Sequence, residues 1–315
     1  MIALFGLLYF FWTSTQERDE HVTIERSTEK INSLSTPVEN TETQASKQMK
    51  LGNESLSLAK KYSESRDMRV FVEFAKNHPE LGAWYYAERG LRECGFIRNE
   101  ILKGRKSYVY GEAYNADQYA QRQQAFERLS QLCQGFLDHE IEEKNRTKIG
   151  VQALRAGDRT YALLEELSSA KAKANRDERD KAVLGVKEKI FRTQDPLLME
   201  EFGALLNART EGNSANFWLD GVSFSMLSDE GRNMSLAWKL IPCSLGMTCD
   251  QFSPSVALQC LQLNQCAPNL SELIRMQLLE EGDTNGVRFA QVQAYAQRLK
   301  QIIDEGNWDA FQVRH

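Results

Sequence analysis

Six cysteines carry the most distinctive spacing in this 315-residue chain. Cys94 and Cys133 lie far apart, and the other four follow as Cys243-x5-Cys249-x10-Cys260-x5-Cys266. Paired thiols can ligate zinc, exchange electrons or form structural bridges. Zinc sites want pairs separated by about two to four residues, so a gap of five is off pattern. A dithiol oxidoreductase presents Cys-x-x-Cys at a helix N-terminus, which lowers the thiol pKa, and the chain has no such motif. Structural disulfides in an oxidising compartment account for Cys94, Cys133, Cys243, Cys249, Cys260 and Cys266 together. Each C-x5-C pair closing its own loop is the simplest geometry. Pairing between the two repeats, Cys243 with Cys260 or Cys266, stays open at this level.

The remaining chemistry-bearing residues are sparse. Of four histidines, His21 and His315 lie near the chain ends, and His78 precedes Pro79 at a helix stop. His139 sits in Asp138-His139-Glu140-Ile141-Glu142-Glu143. On a helix, His139, Glu142 and Glu143 would share a face and offer metal ligands. They lack the second His of a zincin motif, and an acidic solvated face is the commoner meaning, so no metal is expected. Two carboxylates can hydrolyse a glycan. Glu88 beside Trp84, Tyr85 and Tyr86, and Asp220 beside Phe217 and Trp218, are the candidate catalytic residues, because aromatic rings stack on sugars. Aromatics at helical spacing also serve simply as core. There is no Gly-x-Ser-x-Gly, phosphate-binding Gly loop or dinucleotide fingerprint, and no cofactor is expected.

These residues must be positioned by helices. Only 6 prolines and 19 glycines occur, and Ala, Leu, Glu, Gln and Arg recur, which favours helix over a many-turned sheet. Val70, Phe71, Phe74 and Ala75 fall at helical spacing before His78-Pro79. A helix from about Trp84 carries Ala87, Leu91, Cys94, Ile97 and Ile101 on one face. Another from about Ala116 carries Phe126, Leu129, Leu132, Cys133 and Phe136. Cys94 and Cys133 thus occupy apolar stripes of consecutive helices, as an inter-helix bridge requires. Asp158, Asp195-Pro196 and Asn269 with Glu272 mark later helix starts. Glu211-Gly212-Asn213-Ser214 reads as a helix break. VSFSM at 222–226 alternates as a short extended piece would, but it has no evident pairing partner. The predicted fold is all-α: an array of helical hairpins stapled by disulfides, behind a disordered N-terminal tether.

Four segments follow. Residues 1–15 are an apolar membrane anchor or signal remnant. As a helix, Met1 to Trp12 spans roughly 18 Å, short of a bilayer core of about 30 Å, and no basic residue precedes it. The expectation is that its basic start lies upstream of Met1. Residues 16–55 are a polar, flexible tether, too poor in apolar residues to offset ordering entropy. Residues 56–145 form an N-terminal helical subdomain with Cys94–Cys133, and 146–315 a C-terminal one with the C-x5-C pairs. Net charge is −5, from 39 basic and 44 acidic residues. Without a clustered positive field, nucleic acid is excluded as the expected partner.

The stretches VEFAKNHPELGAWYYAERGLREC, AWKLIPCSLGMTCD, CLQLNQC, NLSELIRMQLLEEG and GNWDAF together resemble uncharacterised exported, cysteine-containing helical proteins of proteobacteria. The likeness covers most of residues 65–311, and its most specific part is the cysteine spacing. It implies an envelope location and a helical fold, and it carries no activity. The expected function is a periplasmic, non-catalytic interaction or scaffold module. It would meet an envelope protein or cell-wall component, with the inner membrane engaged through the N-terminal apolar segment. The alternative is a cell-wall glycan hydrolase or lyase using carboxylates in an inter-helix cleft.

Overall fold

Most helices begin where a short polar side chain replaces the missing hydrogen-bond partner of the first turn. The computed structural model describes residues 55–110, 115–142, 148–211 and 214–312, which belong to one compact unit. The anchor, most of the tether and Glu143 lie outside the described residues. Helix α1 (55–63) leads into α2 (Met68–Lys76), whose first turn is capped by the Asp67 carboxylate. Then come α3 (Ala83–Phe96) and α4 (Ala116–Cys133), the latter capped by Asn115. A wider π-helical turn over Ile97–Leu102 continues α3.

Helices α5 (Ile149–Arg155), α6 (Arg159–Lys171), α7 (Arg176–Thr193) and α8 (Pro196–Leu206) follow. Asp158 caps α6, and Asp195 caps α8 ahead of its first-turn proline, as the sequence predicts. The C-terminal part holds α9 (Asp229–Ser244), α10 (Pro254–Leu263), α11 (Leu270–Glu280) and α12 (Val287–Glu305). The fold is therefore mostly all-α.

Between α8 and α9 the sequence reading needs correction. Ala208–Glu211 (β1), Ser214–Leu219 (β2) and Val222–Ser225 (β3) form an antiparallel sheet in the order β1-β2-β3. The turn between β2 and β3 is Asp220-Gly221, both in the left-handed region at φ 54° and 84°. Asp-Gly favours the two-residue hairpin turn whose twist matches its strands. Phe217 pairs with Phe224 across the hairpin, and Phe224 stacks on Tyr295 of α12 with ring centroids 5.8 Å apart. The Glu211-to-Ser214 segment predicted to break a helix instead joins β1 to β2, with those two end residues paired in register. A second correction concerns 138–143. Asp138–Glu140 is a single 3-10 turn, so the helical face proposed for His139 and Glu142 does not form.

The main hydrophobic core runs from Tyr86, Ile97 and Leu129 to Phe191, Trp238 and Phe311, and Val256, Ala267 and Leu273 form a second, small cluster. Near the C-terminus, Trp308 and Phe311 pack against Phe191 with ring centroids 5.4 and 5.6 Å away. Three disulfides staple this body: Cys94–Cys133 between α3 and α4, Cys243–Cys249 at the end of α9, and Cys260–Cys266 at the end of α10. They indicate an oxidising, extracytoplasmic environment. No described helix is long and apolar enough to cross a membrane.

Helix α9 crosses the end of the sheet at Gly231, where an added Cβ would overlap the Ser225 carbonyl oxygen and the Met226 backbone. Gly231→Ala is therefore expected to destabilise the fold by about 2 kcal/mol, despite alanine's better helix propensity. In Gly185→Ala, inside α7, the new methyl meets open space. That change should stabilise by about 0.5–1 kcal/mol. Urea denaturation of both variants checks the opposite signs.

Candidate functional site

Helices α1, α3, α4, α8 and α9 converge on a small cleft, closed on one side by the loop from Met247 to Pro254. Tyr62, Arg89, Glu93, Arg128, Glu200 and Lys239 face it. Arg89 and Glu93 stand one turn apart on α3, beside Tyr86 and Gly90, which are buried in the core. Glu200 lies on α8 next to Glu201, within the apolar run PLLMEEFGALL. The packing of α8 against α9 sets Glu200 and Lys239 on the same cleft.

A single guanidinium organises the acidic side. Arg89 donates from Nε to Glu93 Oε1 at 2.7 Å and from Nη2 to Glu200 Oε1 at 3.2 Å. Its Nη1 lies 3.8 Å from Glu201 Oε2, and Arg92 donates to Glu201 Oε1 at 3.3 Å. Tyr62 donates to Glu93 Oε2 at 2.7 Å, and the Tyr85 hydroxyl donates to Glu201. Burial pushes both phenols well above their ordinary pKa, with Glu93 and Glu201 adding to it, so both hydroxyls stay protonated donors. Burial opposes the Arg89 charge, but Glu200 and Glu93 outweigh it and hold the group well above the usual arginine value.

The two adjacent glutamates diverge. Burial raises the Glu200 carboxyl against the pull of Arg89, and nearby Glu93 and Glu201 push the same way. Burial would also raise Glu201, but Arg92, Arg89 and the Tyr85 hydrogen bond hold it below the ordinary range. The sharing of Arg89 sets the difference: Glu201 has Arg92 as a second cation, and Glu200 has no other ion pair among the described residues.

Two further cations line the cleft, Arg128 and Lys239, and Glu200 lies close enough to Lys239 to favour its charge. Arg128 on α4 donates to the Ser65 carbonyl at 2.7 Å. Among the described residues, neither Arg128 nor Lys239 has a carboxylate within ion-pair distance. Burial draws Arg128 below the usual arginine value, the Arg66 charge adds to that, and Asp250 opposes it. The wall beside it is fixed by the Cys243–Cys249 bridge. Thr248 N donates to Ser63 Oγ at 3.0 Å, and Leu270 N donates to the Cys249 carbonyl at 2.9 Å.

The residues singled out from sequence lie elsewhere. Glu88 is on α3 and accepts a hydrogen bond from the Tyr161 hydroxyl of α6. Asp220 is an exposed hairpin residue, gripped by Arg298 of α12 from Nε at 2.8 Å and Nη2 at 2.7 Å. Neither lines the cleft. His139 lies in the 3-10 turn and Glu142 follows it, while Glu143 is outside the described residues. Among the described residues, no group of His, Cys, Asp and Glu is arranged to hold a metal ion. Sequence reasoning missed Arg89, Glu93, Glu200, Arg128 and Lys239. Two signals were present: the Arg89/Glu93 spacing of four, and two adjacent acids inside an apolar helix. No protein-family model, curated protein or solved structure matches the chain.

Proposed function

We propose that this chain is a non-catalytic binding module of the bacterial periplasm. Its helices and disulfides hold the cleft as a rigid recognition site for an envelope component, and its N-terminal apolar segment attaches it to the inner membrane. The observation that carries this reading is the sharing of Arg89 between Glu93 and Glu200, at 2.7 and 3.2 Å. A glycan hydrolase needs one carboxylic acid and one carboxylate free to meet substrate. Here both cleft carboxylates are committed to a structural cation. Glu88 and Asp220 are each held by a partner on a different element.

The test has two parts. Cells making the chain are fractionated, and free thiols are blocked before and after reduction. All six cysteines are expected to react only after reduction, in the periplasmic or membrane-attached fraction. Six reactive thiols in the cytoplasm would sink the export reading. The purified oxidised protein is then incubated with cell-wall glycan, and no soluble fragments are expected. Fragments whose release is lost in Glu200→Gln would replace the binding reading with the hydrolase one.

A further inference from the structure

We infer that this cleft is a binding site for a phosphate group, gripped by Arg128 and Lys239 with hydroxyls from Thr248 and Ser255. The inference rests on the binding reading above and names the ligand class of the same cleft. All four residues line one small cleft, and they come from α4, α9, the disulfide loop and the start of α10. Arg128 spends one N–H on the Ser65 carbonyl. A guanidinium carries five donors, so it retains several for a ligand. Burial and the neighbouring Arg66 both disfavour its charge, against a smaller pull from Asp250, and a bound anion would add to that pull.

The hydroxyls divide clearly. Ser63 donates to the Lys60 carbonyl, Ser65 to the Asp67 carbonyl and Ser253 to the Asp250 carbonyl. Thr248 and Ser255 face the same cleft, and among the described residues neither hydroxyl forms a bond of this kind. Glu93 and Glu200 would repel an anion if uncompensated, but Arg89 lies between them and Tyr62 satisfies the remaining Glu93 oxygen. Arg128 and Lys239, in no ion pair among the described residues, leave this part of the cleft rich in donors. Donors spread over four elements suit a tetrahedral group with several oxygens better than a planar carboxylate, which pairs with one guanidinium edge-on. A soluble phosphate and a lipid headgroup share this chemistry.

The experiment uses the full chain with its bridges intact. Inorganic phosphate is titrated at constant ionic strength and followed by calorimetry and by melting temperature. Saturable binding and a raised melting temperature are expected, with acetate at least tenfold weaker. Arg128→Met should weaken phosphate at least tenfold and Lys239→Met several-fold, each judged against its own phosphate-free baseline. Should Arg128→Met fail to fold, Lys239→Met at the exposed rim decides alone. A second arm sediments the protein with phosphatidylglycerol or phosphatidylcholine vesicles. Pelleting with the former that Lys239→Met weakens assigns the phosphate to a lipid, and saturation by phosphate without pelleting assigns it to a soluble ligand. No saturation, equal affinity for acetate, or binding unchanged in both variants would overturn the site. A phosphate failure with all six cysteines bridged in the exported fraction would leave the export reading standing.

Discussion

Replacing Cys94 and Cys133 together by alanine is expected to lower the unfolding free energy by about 4 kcal/mol, the chain-entropy value for a loop of this length. The bridge ties α3 to α4 across a separation of 39 residues, and both cysteines are fully buried in the core. Each short bridge spans only 6 residues, for which the same model gives about 2 kcal/mol. The discriminating result is the order. Guanidinium denaturation of the three double variants should place the Cys94/Cys133 pair lowest, with the other two close together above it. Equal losses would mean that local packing, rather than restriction of the unfolded chain, sets the value of these bridges. Under a mild reductant the order of opening should run the other way. Cys243, Cys249 and Cys266 are partly exposed, while Cys94–Cys133 is shielded until the helices separate.

That bridge was legible in the sequence because both of its cysteines lie on periodic apolar stripes, and periodicity reports burial directly. The caps at Asp158, Asp195 and Asn269 were legible for a similar reason, since each is a local event set by a few adjacent residues. The hairpin was missed although its strongest signal, Asp220-Gly221, was in view. Asp220 was weighed for its carboxylate and the aromatics beside it, and its capacity for the left-handed conformation went unused. The cleft was legible least of all. Arg89 and Glu93 announce a pair on one helix, but Glu200 joins them only through the packing of α3 near α8, more than a hundred residues along the chain. Arg128 and Lys239 look like any solvated cations until the fold sets them on one cleft, where among the described residues neither forms an ion pair. Long-range juxtaposition of charges leaves no periodic trace, so a single chain cannot show it.

Arg89→Met is expected to cost about 4 kcal/mol near neutral pH, because removing one partner of a buried ionic cluster strands the others. Methionine keeps much of the aliphatic stem, so the loss isolates the charge. Glu201 retains Arg92 and Tyr85, and Glu93 retains Tyr62. Glu200 alone is left with no ion pair among the described residues. The pH dependence carries the sign. In the native chain Glu200 titrates above its ordinary 4.5, so its ionisation weakens the fold as pH rises through that interval. Glu201 titrates below 4.5, so the stability it adds is present above that value and lost as pH falls through its depressed pKa. Removing Arg89 takes away the main force opposing the rise of Glu200. The deficit of the variant should therefore be largest near pH 7 and shrink towards pH ~4.5 as Glu200 takes up its proton. Adding Glu200→Gln to Arg89→Met should restore more than about 1 kcal/mol, a coupling that urea denaturation of the double-mutant cycle measures directly. A deficit independent of pH, or strictly additive variants, would show that Arg89 acts through its stem. The same cycle bears on the cleft, because a stranded Glu200 carboxylate beside Lys239 would compete for the cation that the phosphate needs. Phosphate affinity should therefore fall in Arg89→Met and recover in the double variant, tying the acidic cluster to recognition by charge balance.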